Sequence, residues 1–182
     1  MTKAGMKKVE KIAKDHGFKN FKWINPKTVI TGEWVRMKCM YGCHAYGKGG
    51  CCPPFGVPSV DECRRFFDDY RWGLFFHIAL KVKSPEDRYP WGKDMTREGA
   101  ALERDVFLAN FRKAFIFPPS PCRLCANCKG TRKECLQPMI GRPSLEAFAV
   151  DVYGTAWKAG FPIQVVKDYS EEMNRYGLLL VE

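Results

Sequence analysis

The chain has 182 residues, 46% of them apolar and 14% aromatic, which is enough for one domain with a buried core and excludes disorder as its resting state. Its longest apolar runs, 74–80 and 178–181, fall far short of the roughly 20 residues that a membrane span needs. The formal net charge of +10 is spread along the chain with no basic stripe interleaved with aromatics, so nucleic acid is not an expected partner. Residues 1–8 lack the apolar stretch and small-residue cleavage site of a secretory signal, and the expected location is cytoplasmic.

In chain order, Met6, Val9, Ile12 and Ala13 recur at helical spacing until Gly17 stops the pattern, which predicts a short amphipathic helix. Residues 29–37, after Asn25-Pro26, are rich in β-branched and aromatic side chains and predict a strand leading into the first cysteines. From 39 to 58, Gly, Pro and Cys dominate, and the segment reads as a loop wrapped around a metal centre. Ser59 and Glu62 form a capping box, followed by a helix with Val60, Cys63, Phe66, Phe67 and Tyr70 on one face.

Residues 74–82 alternate as a strand, with Leu74, Phe76, Ile78 and Leu80 on one side. After a polar loop containing Pro85, Pro90 and Gly92, a helix is expected over 95–112 with Leu102, Val106 and Ala109 inward. Residues 114–117 form a short strand into the second cysteine group. Ser144 then caps a helix presenting Leu145, Phe148, Val152, Tyr153 and Trp157 to the core until Gly160, and strands follow at 162–166 and 176–181. The expected fold is α+β: a single compact domain, 1–182, with a mixed sheet, flanking helices and two cysteine-rich metal-binding loops.

Nine cysteines in a reducing compartment cannot all pair and are poor candidates for structural disulfides, so metal ligation leads. Cys122, Cys125 and Cys128 are separated by two-residue spacers, short turns that let three sulfurs converge, and Cys135 arrives after six residues with enough chain to reach the remaining iron of a [4Fe–4S] cluster. The first three positions resemble bacterial ferredoxin motifs, while the wider last spacing assigns the fourth thiolate to the same cluster. Zinc is the alternative, but zinc sites commonly use two separated C-x-x-C pairs. A cluster with four thiolates carries about −2, so two would offset roughly four of the positive charges.

In the first group, Cys39, Cys43 and Cys52 supply three ligands of a second cluster in a glycine-rich loop. The fourth position is open among Cys51, Cys63, His44 and an external ligand. Cys63 lies in an apolar helical stripe and Cys51 is adjacent to Cys52, so the two normally project apart. His16 and His77 lie in helix-end and strand patterns that support no catalytic role.

The segments Lys38-Cys39-x-Tyr41-Gly42-Cys43-x-x-Tyr46-Gly47-Lys48, Cys52-Pro53-Pro54, Pro121-Cys122-Arg123-Leu124-Cys125-x-x-Cys128 and Arg142-Pro143-Ser144-Leu145-Glu146-Ala147, leading to Asp151-Val152-Tyr153, resemble a family of cysteine-rich proteins from archaea and anaerobic bacteria, described as predicted metal-binding and of unknown function. The resemblance implies Cys39, Cys43 and Cys52 in one site and Cys122, Cys125, Cys128 and Cys135 in the other, with Cys51 outside the pattern. It implies no reaction.

Two functions follow as expectations. One is single-electron transfer between redox partner proteins, with Arg123, Lys129, Arg132 and Lys133 raising the potential and offering a positive docking face. The other is a redox or Lewis-acid enzyme with an open iron at Cys39, Cys43 and Cys52 beside Tyr41, His44, Tyr46 and Lys48. No phosphate loop, serine triad or dinucleotide fingerprint is present. Oligomeric state and substrate are not encoded legibly.

Overall fold

The computed structural model describes residues 1–168 and 171–182 and has an α+β architecture. Helix α1, Lys3–Asp15, starts where the Thr2 hydroxyl accepts the Gly5 N–H, and buries Val9 and Ala13. Gly17 ends it at φ +85°, a conformation that suits glycine, and the Phe18 N–H returns to the Ala13 carbonyl. Strand β1, Asn20–Ile24, follows; the sequence reading did not anticipate it.

The strand expected over 29–37 is not formed. Val29 closes a 3-10 turn, Thr31 makes one isolated bridge to Val150, and residues Glu33–Gly42 are helix α2. Glu33, Arg36, Met37, Lys38 and Met40 are good helix formers, and with Val35 as its one buried residue this segment has no second apolar face to offer a sheet. Helix α3, Val60–Asp68, has the expected capping box, with the Ser59 hydroxyl and the Glu62 carboxylate each accepting an N–H of the other's residue.

Strand β2, Gly73–Leu80, leads to helix α4, Arg88–Leu108, which begins seven residues before the predicted start. Pro90 is no obstacle there, because the first turn of a helix has no intrahelical partner for its N–H. Strand β3 is Phe115–Phe117. The helix expected from Ser144 to Gly160 is split. Its first part is a turn in which the Ser144 hydroxyl accepts the Ala147 N–H, and it stops at Ala149 with φ +62°. Asp151 then caps a separate helix α5, Val152–Lys158, on which Tyr153 and Trp157 are exposed, not core-facing. Residues 162–166 are irregular: Pro162 has no N–H to give a sheet and the segment has no strand partner. Strand β4 is Met173–Leu180.

The sheet order is β1-β2-β4-β3, and every neighbouring pair is antiparallel, so the sheet is not mixed. Leu74, Phe76 and Leu179 pack on one face with Val9 of α1, Leu102 and Val106 of α4, and Phe18 from the turn between α1 and β1. Phe75, Leu178 and Leu180 pack on the other with Cys63, Phe67, Leu145, Phe148 and Ala156. With both faces covered, the centre of β2 is a continuous apolar run, and each fully buried aromatic there contributes about 1.5–3 kcal/mol. Among the described residues no helix is long and apolar enough to cross a membrane.

Candidate metal centre

The first cysteine group begins on a helix, not at a strand end. Cys39 lies in the last turn of α2 and Cys43 caps it, its N–H reaching the Cys39 carbonyl at 3.3 Å. The chain then folds back through turns that join Gly47 N–H to the Pro53 carbonyl at 3.0 Å and Cys52 N–H to the Gly49 carbonyl at 2.9 Å. Cys39 Sγ lies 4.0 Å from the Glu146 carbonyl. Burial first, then the nearby Cys43 and Glu146, push the Cys39 thiol up, with Arg36 opposing. Cys52 is pushed up to about 11 by burial and by Cys43 and Cys39 beside it. Burial is the larger cause at both thiols, and the neighbouring sulfurs add to it.

The second group lies on the irregular segment between β3 and α5. Helix α4 sets its entry: a Cβ at Gly92 would collide with the Ser120 side chain, so the helix and the segment pack backbone to side chain. Its exit is held by Arg142, whose guanidinium pairs with Glu103 on α4, Nε to Oε2 at 2.9 Å, and donates to the Met139 and Gly141 carbonyls. Within the loop, Arg132 Nη2 donates to the Pro138 carbonyl at 2.6 Å, and Nη1 lies 3.6 Å from Cys135 Sγ and 3.9 Å from Cys51 Sγ.

The two groups touch. The Gly50 N–H donates to Cys128 Sγ at 3.2 Å, and a Cβ at Gly50 would collide with the Thr131 carbonyl at 2.8 Å. The vicinal pair beside it is divided between the groups. Cys51 is buried and its thiol donates to the Cys122 sulfur, which favours the Cys122 thiolate and pushes the Cys51 thiol far up. Arg132 and the Leu124 and Arg142 backbone N–H groups favour the same thiolate. Cys52 takes its largest sulfur influences from Cys43 and Cys39. Cys125 is more peripheral, its thiol raised first by desolvation, then by Cys122, Cys128 and Cys135.

The remaining cysteine and the three histidines lie as follows. Cys63 is fully buried in the core, its Sγ 3.7 Å from the Pro58 carbonyl, and acts as a small apolar side chain. His44 is exposed. His16 joins Glu98 and Asp105 at 3.3 and 3.0 Å, and His77 sits between Asn20 and Asn174 at 2.9 and 2.7 Å, so neither belongs to a cysteine group. Among the described residues, no three His, Cys, Asp or Glu side chains are drawn together as a chelate for a single ion. What is gathered is a set of cysteine sulfurs with backbone N–H and guanidinium groups directed at some of them, soft donors of the kind that metal sites use.

An antiparallel α+β scaffold carrying two contiguous thiol groups defines a metal-binding class of protein. The chain belongs to the family described as "Predicted metal-binding protein (DUF2284)", whose model matches residues 22–181. No curated protein and no solved structure matches it.

Proposed function

We propose that residues 1–182 act as one iron–sulfur domain that passes single electrons between partner proteins in the cytoplasm. Cys122, Cys125, Cys128 and Cys135 would hold one [4Fe–4S] cluster, and Cys39, Cys43 and Cys52 a second. The observation carrying this reading is the contact between the two groups, made by the Gly50 N–H on Cys128 Sγ and by adjacent cysteines that serve different groups.

When bound, a [4Fe–4S] cluster supplies reversible one-electron storage. The chain's own part is to orient the thiolates, direct N–H groups at them, and set a guanidinium beside Cys135 and Cys51, which favours the more negative, reduced state. Iron, zinc and acid-labile sulfide are to be measured on protein prepared without oxygen, together with EPR spectra of the reduced sample. Stoichiometric iron and sulfide with a reversible one-electron signal are expected; zinc in their place removes the redox reading.

A second reading, an enzyme with an open position at the three-cysteine group, is favoured by one observation. A cavity of about 310 Å³ has Cys39 and Cys43 in its wall. Mössbauer spectra showing one iron that shifts on ligand addition would support it, and complete protein ligation of both sites would remove it.

A further inference from the structure

The cavity beside the first cysteine group has a ligand chemistry of its own. Its wall is largely apolar, with Val150, Val152 and Ile163 among the lining side chains and Trp34 at its edge. Arg175 of β4 is set into that wall. Its Nε is buried and has no hydrogen-bond partner, while its Nη2 lies 3.5 Å from the thioether sulfur of Met173, a weak acceptor.

A guanidinium presents its N–H donors in a fixed fork that matches a carboxylate, and burying such donors without acceptors costs free energy. Charges of both signs surround Arg175, and among the described residues no hydrogen bond joins either lining carboxylate to the guanidinium. Asp151 already accepts the Gly154 N–H at the start of α5, Glu146 is exposed, Lys38 adds a positive charge to the lining, and Arg88 adds another near Arg175. Burial is the main cause that disfavours the Arg175 charge; Glu146 and Tyr153 favour it, and Arg88 adds a smaller opposition. An incoming carboxylate would give the guanidinium fork a full acceptor where Nη2 now meets only the thioether sulfur of Met173.

We propose that this cavity binds a small organic carboxylate with an apolar or aromatic body. The carboxylate pairs with Arg175, and the body lies against Val150, Val152 and Ile163 at the margin of the first cysteine group. The volume suits a ligand of about one ring, near the lower end of ordinary small-molecule sites of roughly 300–1,000 Å³. The inference deepens the open-site reading, on which it rests for its biological meaning, by giving that site a ligand class.

The test uses benzoate and its neutral isostere benzamide as probes, followed by saturation-transfer NMR on the full chain prepared without oxygen. Benzoate is expected to bind saturably and at least tenfold more tightly than benzamide, and Arg175→Gln to weaken benzoate at least tenfold while leaving benzamide unchanged. Equal binding of the two probes, no saturable benzoate signal, or an Arg175→Gln protein that binds benzoate as the parent does would each overturn the proposal. Should Arg175→Gln fail to fold, the benzoate-to-benzamide ratio of the parent protein decides alone. Iron and sulfide assayed on the same sample keep the readings apart. Benzoate bound through Arg175 by iron-free protein sustains the cavity and sinks the cluster; fully loaded protein indifferent to benzoate sinks only the cavity.

Discussion

At the scale of single residues, the division of Cys51 from Cys52 makes the sharpest expectation. Cys51→Ser should alter the spectrum of the second centre and leave the first unchanged, and Cys52→Ser should do the reverse; EPR of reduced protein separates the two. On the proposed cluster reading, Arg132→Gln should retain iron but show a midpoint potential lowered by tens of millivolts in a redox titration, because a cation beside Cys135 and Cys51 is lost. Gly50→Ala places a methyl group against the Thr131 carbonyl and should lower stability by about 1–3 kcal/mol in denaturant unfolding. The spacing of Cys122, Cys125 and Cys128, and the turn residues between Cys39 and Cys52, made seven sulfurs legible as candidate ligands. The place of Cys51 was not legible, since the direction of two adjacent side chains depends on the turn that joins the Cys52 N–H to Gly49. Arg175 was also missed, because nothing in a strand sequence shows that a guanidinium lacks an acceptor.

At the scale of elements, the well-patterned pieces were readable and the weakly patterned ones were not. The capping box of α3 and the apolar runs of β2 and β4 declare themselves locally. Strand β1 did not, because at the edge of the sheet it alternates Asn20 and Lys22 with Phe21 and Trp23 over only five residues. Helix α2 was misread as a strand because Val29, Ile30, Trp34 and Val35 suggest one, whereas helix propensity from Glu33 onward prevails. Ser59→Ala should cost about 1 kcal/mol through loss of the cap on α3, measured by chemical denaturation. Glu103 has a larger task, since it pairs with Arg142 and accepts the Ile116 N–H at 2.8 Å. Glu103→Ala leaves a largely buried guanidinium unpaired and should cost about 3 kcal/mol. If the second loop holds a cluster as proposed, its loosened exit should also release iron faster to a chelator.

At the scale of the whole molecule, the alkaline limb of stability follows from groups buried on the sheet's two-faced core. The Cys63 thiol is pushed up from 9.0 to about 11 by burial, and the Tyr70 and Tyr176 hydroxyls from 10.0 to about 12 by the same cause. Each binds its proton more tightly folded than unfolded. The resulting stability is complete below pH 9, begins to fall above the unfolded thiol value, and is lost through about 11 and then about 12. Unfolding curves recorded across that range check this, and Cys63→Ala should reduce the earlier part of the decline.

Strand β4, the last of the four in the chain, is inserted between β2 and β3. Until it is synthesised those two strands share no neighbour, although every cysteine has already left the ribosome by then. The thiols are thus made before the scaffold that aligns them, so on the proposed reading metal delivery has to wait for, or shield, a chain whose sulfurs are still unplaced.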